Sequence, residues 1–182
     1  MAGLLSSLFR EAVSKHKDTR MKEESTSSVG YSTGFLNFDF MNGTVVHVNS
    51  DVRHTKYYSV GIQDGCLVML IGRSGCGKTT FAIQAASNII RDFPNACIFH
   101  DDIEGGLTEY RKELLSGFHG DDLKNRYISR NTGITAENFY ERIRMIHDMK
   151  LNNREAYEYD TGLFDAHGER IFKLEPTVYI LD

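Results

Sequence analysis

The sequence predicts an α/β fold in which a mainly parallel sheet is flanked by helices. Three apolar segments, residues 66–71, 96–100 and 177–181, have the continuous hydrophobic character of strands that are buried on both faces of a sheet. A helical pattern follows each of the first two segments, which is the order of repeated strand–helix units. Glycine or acidic residues come directly after each of the three. We therefore expect the functional chemistry at the carboxyl edge of this sheet, where open parallel sheets bind their ligands.

The composition is typical of a soluble globular protein. The chain has 182 residues, of which 41% are hydrophobic and 25% charged, and this is enough to bury one core. A net charge of −4 does not indicate a broad nucleic-acid surface, so any such surface is local or absent from this chain. Three cysteines without Cys-x-x-Cys spacing predict a reducing, cytoplasmic setting and no disulfide framework. No apolar run reaches transmembrane length and no signal-peptide pattern follows the N-terminus, so no membrane partner is expected.

The strongest pattern is a glycine-rich turn at residues 72–79, which fits G-x-x-x-x-G-K-[ST] at every fixed position. A strand before it and a helix over 80–90 after it give the order that a phosphate-binding loop requires. Glycines let backbone N–H groups point inward, and the helix N-terminus attracts anions. In this pattern Lys78 reaches the β- and γ-phosphates of a nucleotide and the Thr79 hydroxyl holds Mg²⁺. The predicted nucleotide-binding residues are Gly72, Arg73, Ser74, Gly75, Cys76, Gly77, Lys78, Thr79 and Thr80.

Acidic residues follow the second and third predicted strands. Asp101, Asp102 and Glu104 come after residues 96–100. Side-chain alternation places Asp102 and Glu104 on one face and Asp101 on the other, which leaves two candidates for a catalytic carboxylate. Asp182 follows the last strand, and an apolar strand that ends in an acid downstream of a phosphate loop indicates the metal-side carboxylate of a nucleoside triphosphatase.

The chain is predicted to have two parts, residues 1–29 and 30–182. Apolar residues recur at helical spacing over 3–14 and predict an amphipathic helix, and the polar stretch over 14–28 is typical of a mobile linker. The helix has two alternative partners, the chain's own core and another subunit. Because a linker separates it from the core, we expect contact with another subunit. Its apolar residues are Leu4, Leu5, Leu8, Phe9, Ala12 and Val13.

Local patterns predict the remaining elements. Ser32 or Thr33 is expected to cap a short helix, and Thr135 a long helix with an apolar stripe that packs in the core. The irregular stretch 151–175 is interpreted as a β-hairpin insertion. Further expected elements are a strand at 45–48, a turn at 64–65, a helix over 107–117, a strand at 126–130 and a turn at 165–168.

Taken in order, these motifs resemble the RecA-like ATPase core, and within it the phage recombinases of the UvsX type. A leader over 32–43, with Ser-Thr-Gly followed by Asp39 and Gly43, precedes the phosphate loop. Residues 102–110, Asp-Ile-Glu-Gly-Gly-Leu-Thr-Glu-Tyr, resemble the acidic element, small-residue turn and tyrosine-containing helix of that group. The resemblance covers residues 30–182 and implies a RecA-like P-loop NTPase core.

The resemblance implies a function as well. Lys78 and Thr79 would bind the phosphates and Mg²⁺ of ATP, Glu104 would activate the attacking water, and Asp182 would be the metal-side acid, with Glu104 and Lys78 catalytic. It also implies DNA-dependent ATP hydrolysis by a homo-oligomeric filament. Such a filament carries out strand exchange on single-stranded DNA in recombination, DNA repair or phage replication, in the cytoplasm of a bacterium or phage-infected host.

The resemblance also bears on the extent of the chain. RecA-like cores continue beyond the strand that corresponds to residues 177–181, and their DNA-gripping loops lie there. The chain is therefore expected to be the N-terminal part of a longer protein, with its DNA-binding segments beyond Asp182. Little or no hydrolysis by the 182-residue chain is expected.

Two alternatives stand beside this interpretation. The stretch 151–175 is longer than a compact recombinase would have, which leaves room for a replicative helicase of the same superfamily. A regulatory module that binds nucleotide without turnover is an alternative from a different class. Glu104 argues against that module, because binding without hydrolysis has no need of a carboxylate at this position.

Overall fold

A computed structural model describes residues 29–49, 54–164 and 168–182, and within 44–49 and 54–58 it describes the backbone alone. The predicted N-terminal helix and linker lie outside the described residues, as does most of the predicted turn at 165–168. In chain order the elements are β1 (Gly30–Tyr31), α1 (Leu36–Asn42), β2 (Thr44–Asn49), β3 (His54–Ser59), β4 (Ile62–Gln63), α2 (Lys78–Ile90), β5 (Cys97–Asp101), α3 (Glu109–Ser116), α4 (Gly120–Arg126), β6 (Tyr127–Arg130), α5 (Ala136–Asn152), α6 (Arg154–Tyr157), β7 (Glu158–Phe164), β8 (Arg170–Leu174) and β9 (Thr177–Leu181).

The centre of the fold is a three-stranded parallel sheet in the order β6-β5-β9. Phe99 of β5 pairs with Ile128 of β6 on one side and with Tyr179 of β9 on the other. The strands predicted at 96–100, 126–130 and 177–181 are therefore confirmed to within one residue. Helices flank this sheet, so the chain has the mixed α/β class that the sequence predicts.

The strand predicted at residues 66–71 is wrong. The segment has no regular secondary structure, and the exposed fractions of Leu67, Met69 and Ile71 are 91%, 75% and 88%. The described sheet ends at β9, which pairs with β5, and segment 66–71 does not extend the sheet beyond it. A continuous apolar run becomes a buried strand only when a neighbouring strand and a covering layer take up its backbone and side chains. Within the described part of the chain, no strand pairs with this segment.

The hydrophobic core of the described residues lies between the sheet and α2. Ile98 of β5 and Ile83 and Ile90 of α2 are fully buried. The helix predicted over 80–90 is confirmed, with its start at Lys78. Burying an aliphatic side chain of this size stabilises the fold by about 1.5–3 kcal/mol. The core is completed by Ala86, Ile89, Ala96, Phe118, Leu123, Tyr127 and Ile180.

The other face of the sheet carries α5. Thr135 caps this helix as predicted, because its hydroxyl accepts a backbone N–H at 3.2 Å. Phe139 meets Tyr179 of β9 edge to face, with ring centroids 4.9 Å apart. The apolar stripe packs in the core only in part, since Ile146 is buried whereas Met149 is 42% exposed. Neither α5 nor any other helix among the described residues has the length and apolar character that a membrane crossing requires.

The hairpin predicted within 151–175 is confirmed for β7 and β8, which pair antiparallel. The first residues of that stretch belong instead to α5 and α6. The hairpin packs on the N-terminal strands of the described chain. The hydroxyls of Tyr159 and Tyr31 lie 3.0 Å apart, and Lys173 forms an ion pair with Asp64 at 2.6 Å.

The N-terminal part of the core differs in detail from the sequence prediction. The strand expected at 45–48 is β2, but its antiparallel partner β3 lies in a polar stretch without a strand pattern. Phe35, rather than Ser32 or Thr33, is the N-cap of α1, and no side chain caps that helix. The two hydroxyl residues bond to the Asp39 carboxylate instead. Further along, the helix expected over 107–117 is α3, and α4 was not predicted.

Candidate functional site

The predicted phosphate loop has the backbone that an anion-binding turn needs. Gly77 is the N-cap of α2 with φ 91°, and Gly75 has φ 75°. Both lie in the left-handed region, which residues with a side chain rarely adopt. No side chain caps α2 and its first turn carries no acidic residue, so its N-terminus can attract an anion. Residues 72–77 are exposed and accessible to a ligand.

The Lys78 ammonium lies against this loop. Its Nζ donates hydrogen bonds of 3.1 Å to two backbone carbonyls, those of Gly72 and Arg73. The side chain thus bridges both ends of the turn and keeps its positive charge beside the N-terminus of α2. A negatively charged phosphate oxygen attracts the ammonium more strongly than a neutral carbonyl does, so an anion can replace these carbonyls.

The carboxyl end of β9 meets the loop at one contact. The Thr79 hydroxyl donates a hydrogen bond of 2.6 Å to Oδ2 of Asp182, across 103 positions of the sequence. This contact brings together the two residues that the sequence analysis assigned to Mg²⁺. Hydroxyl and carboxylate oxygens are ligands that Mg²⁺ prefers, and this ion usually takes further ligands from phosphates and water. The donor set of the pair fits that metal.

The end of β5 holds Asp182 in place. The Asp182 backbone N–H donates to the Asp101 carbonyl at 3.0 Å, and the Asp182 carbonyl accepts from the Ile103 N–H at 2.7 Å. The pairing of β5 with β9 therefore continues beyond the strands themselves. It places the turn that contains Glu104 next to the contact between Thr79 and Asp182.

The three acids after β5 have different surroundings. Asp101 is 1% exposed and forms an ion pair with Arg142 of α5. Asp102 is also buried, and its two oxygens each accept a backbone N–H of the following turn at 2.9 Å. Glu104 is exposed. Asp102 therefore shapes the turn, and Glu104 is the acid that the turn presents to solvent.

The leader motif fastens the N-terminal segment to α2. The Asp39 carboxylate is 5% exposed and accepts hydrogen bonds from the Ser32 hydroxyl at 2.7 Å and the Thr33 backbone N–H at 2.9 Å. Burial alone would raise the pKa of this carboxyl, but the hydrogen bonds outweigh it and hold the pKa below its usual range. The Thr33 carbonyl accepts from the Asn88 amide of α2 at 2.8 Å. A Cβ at Gly34, where φ is 78°, would lie 2.3 Å from that amide nitrogen, so the close approach requires glycine.

His100 is a buried polar group near the same edge of the sheet. It is 1% exposed, and its Nδ1 lies 2.7 Å from the Tyr127 hydroxyl. Its Nε2 has no hydrogen-bond partner within the described part of the chain. Burial lowers the pKa of His100, although the carboxylates of Asp102 and Asp182 oppose that shift. The ring is therefore neutral at pH 7 and adds no positive charge to the site.

Sequence reasoning missed two residues that support the site, Asn88 and Arg142. Asn88 lies on the helix after the loop and has no motif around it. Arg142 stands between Phe139 and Ile146 at helical spacing, so it is a charged residue on an otherwise apolar face. That position was an available signal, because a cation on a buried helix face needs a buried partner.

The candidate site is an open edge, not an enclosed pocket. A groove of about 350 Å³ lies along the C-terminal half of α2, away from the loop at its N-terminus. The described residues include no group of three or more His, Cys, Asp or Glu side chains arranged to hold a metal ion. The groove is lined by Phe35, Gln84, Asn88, Arg91, Leu114, Leu115, Ser116 and Gly117.

No family model matches the sequence, and no curated protein or solved structure matches it either.

Proposed function

We propose that this chain binds ATP with Mg²⁺ at the phosphate loop and is the ATPase part of a RecA-like, DNA-dependent recombinase. The observation that carries the proposal is the 2.6 Å contact between Thr79 and Asp182. A glycine-rich turn with a surface lysine would not require an acid from a distant strand end at this position. The uncapped N-terminus of α2 and the Lys78 ammonium supply the positive charge that a triphosphate needs.

Each residue has a role that its position supports. Lys78 exchanges its carbonyl partners for oxygens of the β- and γ-phosphates. Thr79 and Asp182 would hold Mg²⁺, which when bound would neutralise charge on the phosphates. Glu104 accepts a proton from the water that attacks the γ-phosphate. Positioning of the reacting groups contributes most of the rate in this chemistry. The hydrogen bond between Ile103 and Asp182 fixes the turn that carries Glu104 relative to the Asp182 carboxylate.

The recombinase assignment is supported by the residue pattern around the loop. The leader over 32–43 holds α2 through Asn88, and residues 102–110 have the acidic turn and tyrosine of UvsX-type proteins. Assembly into a homo-oligomeric filament, contact with single-stranded DNA, and a cytoplasmic location belong to this proposal. A replicative helicase of the same superfamily is the second candidate, and the ordered hairpin of β7 and β8 favours it.

Titration with ATP and Mg²⁺ of the wild-type chain and Lys78→Ala tests nucleotide binding. Removing the ammonium deprives the phosphates of charge-assisted hydrogen bonds, so affinity is expected to fall by about 30-fold or more. Lys124→Ala is the control, because it removes a lysine whose side chain is 78% exposed. Equal affinity of the wild type and Lys78→Ala would contradict the proposal, whereas Lys124→Ala should bind like the wild type.

A further inference from the structure

Two largely buried cations join helix α5 to β9 and to the residues just before it. The Arg142 side chain is 11% exposed, and Lys150 is 5% exposed. The two residues are eight positions apart on the helix, which is about 12 Å. Their contacts on the other side, Tyr179 and Glu175, are four positions apart, which is about 13 Å along an extended chain. α5 therefore runs antiparallel to β9, and the spacing of the two cations matches the spacing of their partners.

Arg142 binds two neighbouring strands, β5 at its last residue and β9 at its middle residue. Its Nη2 donates to the Asp101 carboxylate of β5, and its Nε donates to the Tyr179 hydroxyl of β9 at 2.8 Å. The Tyr179 hydroxyl in turn donates to the same carboxylate oxygen of Asp101. The three side chains form a closed triangle of hydrogen bonds, which we call the Arg142 triangle.

The Arg142 triangle adjoins Asp182 through the backbone. The carbonyl of Asp101 accepts the Asp182 N–H at 3.0 Å, and Tyr179 precedes Asp182 on the same extended segment. A displacement of either strand at the triangle is therefore passed directly to the backbone of Asp182. The position of the Asp182 backbone matters because it sets the 2.6 Å contact between the Asp182 carboxylate and Thr79.

A structural role alone does not require a charged group at this place. Buried ion pairs are costly to desolvate, and well-packed apolar residues of similar volume often stabilise a fold as well or better. An apolar contact, however, tolerates sliding of the elements it joins, whereas the planar guanidinium fixes the positions of its acceptors. The Arg142 triangle is thus better suited to setting the relative position of β5 and β9 than to adding stability.

We propose that Arg142 is a positioning residue for the metal-side acid. It holds β5 and β9 so that the Asp182 carboxylate faces Thr79, where the two residues would hold Mg²⁺. This inference rests on the proposed function, since it requires a nucleotide–metal site at Asp182.

The Mg²⁺ dependence of ATP binding tests the inference in the full chain. The quantity measured is the Mg²⁺ concentration at which ATP affinity has gained half of its metal-dependent increase. In Arg142→Met this concentration should rise at least about 10-fold, because removing a group that orients metal ligands typically weakens metal binding by that factor. ATP affinity in EDTA should stay at the wild-type value, because Lys78 and the loop are unchanged. Tyr179→Phe should shift the Mg²⁺ requirement less and in the same direction, and Arg142→Lys should restore part of the loss.

Lys150→Met is the matched control. It removes the other buried cation of α5, whose Nζ donates to the Glu175 carbonyl at 2.7 Å before the start of β9. Thermal unfolding of the variants in EDTA measures stability separately. Lys150→Met should lower the Tm as Arg142→Met does, yet keep the wild-type Mg²⁺ requirement.

Three outcomes decide between the explanations. An unchanged Mg²⁺ requirement in Arg142→Met, or an equal shift in Lys150→Met, overturns the positioning role and leaves the proposed function intact. If Arg142→Met does not fold, Tyr179→Phe and Arg142→Lys decide by the same criterion. A wild-type chain whose ATP affinity does not respond to Mg²⁺ overturns the proposed metal site, and the positioning role with it.

Discussion

The Thr79 hydroxyl donates a 2.6 Å hydrogen bond to the Asp182 carboxylate. Thr79 lies in the first turn of α2, and Asp182 directly follows β9. Two residues with the ligand chemistry of Mg²⁺ thus meet at the carboxyl edge of a parallel sheet, where such folds bind ligands. Lys78 and the Glu104 turn adjoin the same contact, so the candidate nucleotide site is assembled from three separate parts of the chain.

Glu104→Gln should retain ATP binding and lose turnover. The substitution preserves shape and removes the proton acceptor, and a positioned general base contributes about 100-fold or more to the rate. Phosphate release is measured with and without single-stranded DNA, under conditions in which the wild type hydrolyses ATP. Glu141→Gln, another exposed glutamate, is the control and should hydrolyse ATP like the wild type.

Survival of wild-type turnover in Glu104→Gln would move the catalytic role to Asp102 or remove it from this turn. Asp102→Asn gives a distinct result, because both oxygens of Asp102 accept backbone N–H groups. An amide nitrogen in place of one oxygen would face a donor, so this variant should lower the unfolding free energy by about 1–3 kcal/mol. Such a loss of stability separates a turn-shaping residue from a base.

Asp39→Asn should destabilise the fold by about 2 kcal/mol at pH 7, because a buried carboxylate loses charge-assisted hydrogen bonds from Ser32 and Thr33. The pKa of Asp39 lies below the ordinary value of 3.8. Its contribution to stability is therefore complete above about pH 4 and is lost as the pH falls through the folded-state pKa. Urea unfolding at pH 7 and pH 3 measures both effects. Asp148→Asn, whose side chain is 57% exposed, should unfold like the wild type at both pH values. Equal stability of Asp39→Asn at pH 7 would contradict this role.

His100 should make the protein less stable as the pH falls. Burial lowers its pKa below the ordinary value of 6.5, so the unfolded chain takes up a proton where the folded chain resists it. The contribution of His100 to the free energy of unfolding is complete above about pH 6.5. Below that pH it declines by at most about 1.4 kcal/mol per pH unit, until the folded-state pKa is passed. His100→Gln should lack this component, whereas the exposed His147→Gln should retain it. Parallel pH profiles of wild type and His100→Gln would show that His100 does not titrate with folding.

Much of the fold is predictable from the sequence because it depends on local pattern. Continuous apolar character identifies β5 and β9 together with the acids that follow them, and the glycine pattern identifies the start of α2. Thr135 is recognisable as a cap because capping involves residues only a few positions away. Short-range rules therefore locate the strand ends and the helix start on which the candidate residues lie.

Other features depend on contacts between distant residues. The apolar run 66–71 predicts a strand, but its burial requires a partner that the run itself does not specify. Ser32 and Thr33 are good capping residues, yet their hydroxyls donate to the Asp39 carboxylate and do not cap the helix. Arg142 is visible as a misplaced charge, but its partners on β5 and β9 are set by the fold. The sequence assigns Thr79 and Asp182 to one metal ion as a hypothesis, and the hydrogen bond between them is a finding of the structure that the sequence does not specify.

ATP titrations with Mg²⁺ and with EDTA, in the wild type and Asp182→Asn, test the nucleotide–metal site most directly. The wild type should bind ATP more tightly with Mg²⁺, and Asp182→Asn should lose most of that gain while its affinity in EDTA stays unchanged, because the carboxylate facing Thr79 has become an amide. Asp121→Asn, whose side chain is 93% exposed, should behave like the wild type. A full Mg²⁺ gain in Asp182→Asn would contradict the assignment of Thr79 and Asp182 to one metal site.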